Sequence, residues 1–179
     1  MNNRKSRKVM RTGKTFDTYA IDKLIGQGGF SDVYEVHSIV TNEVYAMKLE
    51  KISVTKQALM KEAGIYKVVN SEYFPKFISY GETEKYRFLV MERCGTSLST
   101  IRRLLPNKVF SLSTVMRIGI EMLRAIEKMH SYGYIHRDIK PSNFLVRPSR
   151  KHPIALMDFG LCRQYYDVAR GEMLPARNR

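Results

Sequence analysis

The interpretation of this chain is decided by His136-Arg137-Asp138-Ile139-Lys140-Pro141-Ser142-Asn143, followed by Asp158-Phe159-Gly160. Asp138 is a carboxylate that could accept the proton of an attacking hydroxyl group. Asn143 and Asp158 carry hard oxygen atoms, which are the ligands that Mg²⁺ prefers. Because both segments occur in the expected order, they are far more specific than an isolated His-Arg-Asp triplet. They predict a magnesium-dependent phosphoryl-transfer site.

A glycine-rich segment lies upstream and is typical of a turn between two strands: Gly26-Gln27-Gly28-Gly29-Phe30-Ser31-Asp32-Val33. Gly26 and Gly28 would let the backbone approach phosphate oxygens that a Cβ would push away. Ser31 stands where the corresponding phosphate-loop pattern has its third glycine. Taken alone, such a turn is more often an ordinary hairpin.

A lysine and a glutamate follow at suitable positions. Lys48 ends the segment Tyr45-Ala46-Met47-Lys48 on a predicted strand, and Glu62 lies on the apolar stripe of the next predicted helix. An unpaired carboxylate among apolar neighbours is costly, so Lys48 is predicted to be the partner of Glu62. The Lys48 ammonium would pair with the α- and β-phosphates of ATP. Each residue alone would be read as a solvated side chain.

Hydrophobic periodicity places these motifs on secondary structure. Antiparallel strands are predicted at 19–26, 31–38, 44–49, 77–82 and 86–91. A helix is predicted around Glu62, a short one before Pro106, and a long one from Ser113 to about Tyr132 with Gly133 as its stop.

Together the motifs resemble a eukaryotic protein kinase of the casein kinase I superfamily, nearest its tau-tubulin kinase branch. Three segments carry the resemblance: the first stretch quoted above extended to Phe144, Met157-Asp158-Phe159-Gly160-Leu161-Cys162-Arg163-Gln164, and Phe110-Ser111-Leu112-Ser113-Thr114. The resemblance covers about residues 17–179. Two departures are Ser31 and Cys162, the latter in place of the usual Ala after Asp-Phe-Gly-Leu.

The resemblance implies an α+β, protein-kinase-like fold with an antiparallel-sheet N-lobe containing one helix and an incomplete helical C-lobe. It divides the chain into a basic disordered arm (1–16), an N-lobe (17–91), a hinge (92–95) and a partial C-lobe (96–179). The chain would then be truncated within the activation segment. One face of the long helix at 113–132 would be exposed as a hydrophobic patch.

The resemblance also assigns site residues. The implied catalytic residues are Lys48, Glu62, Asp138 and Lys140. The implied metal ligands are Asn143 and Asp158. The implied nucleotide-binding residues are Ile25, Gly26, Gln27, Gly28, Gly29, Phe30, Ser31, Val33, Ala46, Lys48, Met91, Glu92 and Cys94. Met91 would be the gatekeeper, and the backbone of the hinge would bind adenine. Lys140 favours Ser/Thr over Tyr, since kinases of that kind use this lysine to steady the γ-phosphate.

Two classes of function stay open. The first is an ATP- and Mg²⁺-dependent protein serine/threonine kinase, which is favoured because Lys48, Asp138, Asn143 and Asp158 are all intact. The second is a catalytically inactive, truncated kinase fragment that acts as a nucleotide-binding or interaction module, which is favoured by the missing part of the C-lobe. A nucleic-acid-binding protein is a distant third, because no recognised nucleic-acid module is present.

Composition adds expectations about partners and location. The 179 residues carry a net charge of +14, and a positive field concentrates anions, so the expected protein substrates are acidic or already phosphorylated. Cys94 and Cys162 lack metal-like spacing and suit a reducing compartment. No apolar run reaches transmembrane length and no signal-peptide core is present. We expect a soluble cytoplasmic protein without a membrane partner, and the basic arm leaves a nuclear location open.

Overall fold

The computed structural model describes residues 9–29, 31–55, 57–147 and 150–176. They form two compact units. The first contains the described residues up to Leu59 together with Ile78–Arg93. The second contains Met60–Phe77 and the described residues from Cys94 onward.

A six-stranded sheet dominates the first half of the chain. Its strands lie in the order β1-β2-β3-β4-β6-β5. Their bounds are β1 (Thr15–Phe16), β2 (Tyr19–Gln27), β3 (Ser31–Ser38), β4 (Val44–Lys51), β5 (Phe77–Glu82) and β6 (Tyr86–Glu92). The pairs β1–β2, β2–β3, β3–β4 and β4–β6 are all antiparallel. The predicted antiparallel sheet is therefore confirmed, and the predicted strand bounds agree with the structure to within two residues.

The core of the first unit lies on one face of this sheet. In β3 buried side chains alternate with partly exposed ones, because successive residues of a strand point to opposite faces. The buried cluster comprises Phe16, Tyr19, Ile21, Tyr34, Val36, Met47, Leu49, Phe88 and Val90. Tyr34, Met47 and Val90 are successive cross-strand neighbours, so their side chains stack across three strands.

The end of the predicted basic arm is ordered. Phe16 is 2% exposed in the core, and its ring packs edge-on against Tyr86 at a centroid distance of 5.8 Å. The exposed Lys14 places its ammonium 5.2 Å from the Phe16 ring centroid, which adds a cation–π contact. The prediction of disorder is therefore wrong for residues 9–16, because the charges of the segment concealed apolar side chains that dock on the sheet. Residues 1–8 lie outside the described residues.

The second unit contains most of the helical structure. Its elements, together with the helix that enters it, are α1 (Ala58–Val68), α2 (Leu98–Leu104), α3 (Leu112–Ser131), β7 (Tyr134–Ile135), β8 (Phe144–Val146), β9 (Ile154–Leu156), β10 (Arg163–Gln164), β11 (Tyr166–Asp167) and β12 (Glu172–Met173). Ser97 and Ser111 cap α2 and α3, since each hydroxyl accepts a hydrogen bond from the backbone N–H three residues later. The α+β architecture predicted from the sequence is thus confirmed.

The long helix α3 is amphipathic. Ala125 and Met129 are fully buried, whereas the opposite side exposes a stripe of apolar side chains: Leu112, Val115, Met116, Ile120 and Leu123. In the described parts of the chain, no helix is both long and apolar enough to cross a membrane.

The segment 60–77 belongs to a different unit from the one that the resemblance implied. Phe159 stacks on Tyr66 with ring centroids 4.4 Å apart. The Leu156 N–H donates to the Tyr73 carbonyl at 2.9 Å, and the Tyr132 hydroxyl donates to the Asn70 carbonyl at 2.6 Å. These contacts group most of α1 and the following loop with the second unit.

Candidate active site

The glycine-rich turn joins β2 to β3. Gly26 and Gln27 are paired with Val33 and Asp32 in the sheet, and the Gly28 N–H closes the turn by donating to the Ser31 carbonyl at 2.8 Å. A Cβ on Gly28 would lie 3.1 Å from that carbonyl oxygen, which is tighter than nearly all real contacts. The turn therefore favours glycine at position 28. Phe30, another predicted nucleotide contact, lies outside the described residues.

Four of the predicted nucleotide-binding residues share one face of the sheet. Val33 pairs with Lys48, and Ala46 pairs with Met91. Directly opposite residues in an antiparallel pair point to the same face, and residues two apart on one strand do so as well. Because the core cluster occupies the alternate positions, Lys48 is displayed on the face opposite to that core. Of the remaining predicted contacts, Ile25 is exposed on β2, Glu92 ends β6, and Cys94 is buried in the second unit.

His136 fixes the loop that carries Asp138. The ring is 3% exposed, and its Nε2 lies 3.0 Å from the Met157 carbonyl oxygen. Its Nδ1 accepts a hydrogen bond from the Asp138 N–H at 3.3 Å. These partners require a neutral ring that carries its proton on Nε2. Burial lowers the pKa of His136 below its usual value of 6.5, which agrees with that neutral form.

Asp138 is held by two neighbours on its own loop. Lys140 Nζ donates to Asp138 Oδ2 at 2.6 Å, and Asn143 Nδ2 donates to the same oxygen at 2.9 Å. The Lys140 hydrogen bond, followed by that of Asn143, lowers the pKa of Asp138 below its usual value of 3.8. Asp138 is therefore a carboxylate at neutral pH. Since both bonds use Oδ2, Oδ1 is the oxygen that could receive a substrate hydroxyl.

The amide of Asn143 is oriented by Asp138. Its nitrogen donates both to Asp138 Oδ2 and to the Asp138 carbonyl oxygen at 2.9 Å. The amide oxygen is then the atom available to a cation, and it is the hard ligand type that suits Mg²⁺. The Met157 N–H donates to the Asn143 carbonyl at 2.9 Å, which ties this loop to the residue before Asp158.

Asp158 adopts an uncommon backbone conformation. Its φ of 68° and ψ of 73° lie in the left-handed region, which Asp tolerates better than most residues, and it begins a short 3₁₀ turn over Phe159–Leu161. A Cβ on Gly160 would lie 3.5 Å from Asp158 Oδ1 and 3.6 Å from Glu62 Oε2. The Glu62 and Asp158 carboxylates therefore approach the same point. Glu62 is 2% exposed, as its position on the apolar stripe predicted.

An aromatic cluster surrounds Phe159, the residue that follows Asp158. The Phe159 ring packs on Tyr66, edge-on against Phe74 at 5.5 Å and edge-on against His136 at 5.9 Å. Such pairs each contribute about 0.5–1.5 kcal/mol beyond simple burial. The cluster couples Asp158 to the loop of Asp138. These ring contacts could not be predicted from the sequence, because their partners are far apart along the chain.

Cys162 lies beside the same carboxylates. Burial, followed by the nearby charges of Glu62 and Asp158, raises the pKa of the Cys162 thiol to about 12. The thiol is therefore protonated at neutral pH and is a poor nucleophile.

The second unit thus brings five of the predicted site residues into one region: Glu62, Asp138, Lys140, Asn143 and Asp158. Lys48 is displayed on the sheet of the first unit, and its pairing with Glu62 stays a prediction. In the described part of the chain, no three His, Cys, Asp or Glu side chains cluster as a closed metal site. A divalent cation at this site would therefore need ligands beyond the Asp158 carboxylate and the Asn143 amide, as the phosphates of a nucleotide would provide.

Two curated relatives are similar in sequence to most of this chain. A probable serine/threonine-protein kinase of Dictyostelium discoideum is 38% identical over 162 residues, which cover 89% of this chain and 32% of the relative. The serine/threonine-protein kinase spe-6 of Caenorhabditis elegans is 35% identical over 156 residues, which cover 86% of this chain and 41% of the relative. The chain thus spans about a third to about two fifths of the length of these curated relatives.

The family comparison covers nearly the whole of both units. Residues 19–173 match the model of the protein kinase domain. This range begins at β2, includes the glycine-rich turn and Lys48, and continues past Asp138, Asn143 and Asp158. The chain therefore belongs to the protein kinase domain family.

Proposed function

We propose that this chain carries the catalytic machinery of a protein serine/threonine kinase, which transfers the γ-phosphate of ATP to Ser or Thr hydroxyls of proteins. One observation supports this most strongly. Asp138 is held ionised by Lys140 while Asn143, bonded to the same carboxylate oxygen, keeps its amide oxygen available. Both relatives described above are named serine/threonine kinases.

Asp138 orients the attacking hydroxyl group. Its Oδ1 accepts the hydroxyl hydrogen and directs the oxygen towards the γ-phosphorus. As the new O–P bond forms, the bond from phosphorus to the ADP oxygen breaks, and the hydroxyl proton passes to Asp138. Because its pKa is low, the carboxylate is a weak base, so we assign it chiefly to orientation, with proton transfer late in the reaction.

Positive charge supports the phosphoryl group during transfer. Lys140 Nζ, at 2.6 Å from Asp138 Oδ2, places an ammonium beside the reacting atoms. Lys48 is assigned to the α- and β-phosphates. When bound, Mg²⁺ would neutralise charge on the phosphates, and Asp158 and Asn143 would hold it.

The finer assignment is to the casein kinase I superfamily, nearest its tau-tubulin kinase branch. It is supported by the residues from His136 to Phe144 and from Met157 to Gln164. The net charge of +14 supports acidic or phosphorylated protein substrates. We also propose a cytoplasmic location, and the basic arm (1–16) leaves a nuclear location open.

A transfer assay on casein and on a tubulin-associated protein tests the proposed activity. With radiolabelled ATP and Mg²⁺, label should appear as phosphoserine and phosphothreonine. Lys48→Met should lower the turnover by about 10²-fold or more, a far larger effect than its effect on the free energy of unfolding, because the proposed role of Lys48 is to hold phosphate. Lys51→Met is the matched control, since Lys51 is exposed at the end of the same strand.

The outcomes of this assay separate the two classes of function. Label on tyrosine alone would contradict the serine/threonine assignment. Magnesium-dependent nucleotide binding without transfer to any protein would favour the interaction module over the enzyme. Equal turnover by the Lys48 and Lys51 variants would remove Lys48 from the nucleotide site.

A further inference from the structure

The turn after α3 contains a glycine that the proposed mechanism does not use. Gly133 has a φ of +80°, and its N–H donates to the His130 carbonyl at 2.8 Å, which ends the helix. Only glycine adopts this conformation without strain. Gly133 lies three residues before His136, so its position influences the loop that carries Asp138.

The same glycine is hydrogen-bonded to the segment that follows Asp158-Phe159-Gly160. The Gly133 carbonyl accepts hydrogen bonds from the Tyr165 N–H at 2.9 Å and from the Tyr166 N–H at 3.3 Å. The adjacent residues extend this contact, because β10 pairs antiparallel with β7. The segment 163–174 then folds back on itself through the antiparallel pair β11–β12. Gly133 is therefore the point at which this segment meets the end of α3.

A side chain at position 133 would obstruct this meeting. An added Cβ would overlap the Tyr166 carbonyl oxygen and would lie 3.1 Å from its carbonyl carbon. Because both obstructing atoms belong to the backbone, the segment itself would have to move. Gly13 offers a matched comparison, since it has the same φ of +80° but nothing within 4 Å of an added Cβ.

We propose that Gly133 is a positioning residue for phosphoryl transfer: its missing side chain sets the spacing between the Asp138 loop and the segment 163–174. This inference rests on the proposed kinase function. A second contact ties the Asp138 loop to the residues just before that segment, since Arg137 Nε donates to the Leu161 carbonyl at 2.6 Å. A shift at Gly133 therefore alters both the approach of the Asp138 loop to a substrate and the segment beside it.

Hydrogen exchange combined with steady-state kinetics tests the proposal. In Gly133→Ala, the Tyr165, Tyr166 and Leu174 amides should exchange at least about tenfold faster. The first two donate to the Gly133 carbonyl, and the third donates to the Tyr165 carbonyl inside the displaced segment. The amides of β8 and of the large sheet should be unchanged. The KM for casein should rise or kcat should fall by about tenfold or more, while the Kd for Mg-ATP stays within about twofold. Gly13→Ala should reproduce none of these changes.

Two further variants guard against general misfolding. Gly133→Asn relieves the strain of a positive φ but keeps a Cβ, so it should resemble Gly133→Ala. Tyr165→Phe removes only the hydroxyl that donates to the His130 carbonyl at 3.4 Å, so it should give a smaller change at the same amides.

Several results would overturn the proposal. Unchanged exchange at 163–174 would show that the contact does not position the segment. Faster exchange throughout the second unit in both Gly133 variants and in Tyr165→Phe would reduce Gly133 to a folding role, as would changed exchange with unchanged kinetics. If the unsubstituted protein transferred no phosphate, the proposed kinase function would be wrong. Faster exchange in Gly133→Ala would then show a structural contact only, and not a positioning role in phosphoryl transfer.

Discussion

At the scale of single residues, the site depends on how neighbours constrain Asp138 and Asp158. Asp138 is ionised because Lys140 and Asn143 both donate to one of its oxygens. Asp158 and Arg137 are held at φ values of 68° and 66°, a left-handed backbone that costs about 1–3 kcal/mol for an ordinary residue. Such strain is retained where the surrounding contacts impose it, and here it orients the catalytic segments.

A first prediction concerns the charge on Asp138. Since Lys140 is the largest cause of the lowered pKa, Lys140→Met should raise the pKa of Asp138 towards its usual value of 3.8. The stability that this pair contributes is present above that value and is lost as the pH falls through the lowered pKa. Carbon NMR titration of the Asp138 carboxyl group measures the shift, with Lys151→Met as an exposed control. An unchanged Asp138 titration would show that Lys140 does not hold its charge.

A second prediction concerns His136. Burial lowers its folded pKa, so the unfolded chain binds a proton more readily as the pH falls below about 6.5. The free energy of unfolding should therefore decrease from pH 6.5 towards the lower folded pKa. Chemical denaturation across this range measures the slope, which His136→Gln should reduce. An identical slope in that variant would contradict a buried neutral His136.

At the scale of elements, the strands were predictable and the contacts among rings were not. Runs rich in Val, Ile and Tyr, separated by turn residues, predicted the bounds of β2, β3 and β4 from the sequence. The face that displays Lys48 follows only from the observed strand pairing. Residues 9–16 were predicted to be disordered because charges outnumber apolar residues in the arm, although Met10 and Phe16 pack against the core of the sheet. The cluster around Phe159 draws on four distant segments, and no local pattern reports such contacts.

A third prediction separates the two sides of α3. Met129 is fully buried, so Met129→Ala should lower the free energy of unfolding of this 179-residue chain by about 2–5 kcal/mol. Leu123 is 68% exposed on the opposite side, so Leu123→Gln should change it by no more than about 0.5 kcal/mol. Urea denaturation of both variants provides the comparison. A larger loss for Leu123→Gln would show that the exposed stripe is covered in solution.

At the scale of the whole molecule, the sequence motifs specify residue types and their order, but not the boundaries of the two units. Asp138, Asn143 and Asp158 were identified because their order and residue types are specific. The grouping of 60–77 with the second unit could not be predicted, since contacts such as Tyr66–Phe159 depend on tertiary packing. Motifs report what a site needs chemically, whereas unit boundaries depend on which surfaces pack together.

The central claim is that Asp158 holds the metal and the nucleotide while Asp138 directs the hydroxyl group. Calorimetric titration of ATP with and without Mg²⁺, followed by a transfer assay on the same samples, tests it most directly. Asp158→Asn should abolish the magnesium-dependent part of nucleotide binding. Asp138→Asn should bind Mg-ATP normally and lose transfer by at least about 10²-fold, and the exposed Asp17→Asn should do neither. Full turnover by Asp138→Asn, or intact magnesium-dependent binding by Asp158→Asn, would contradict the account.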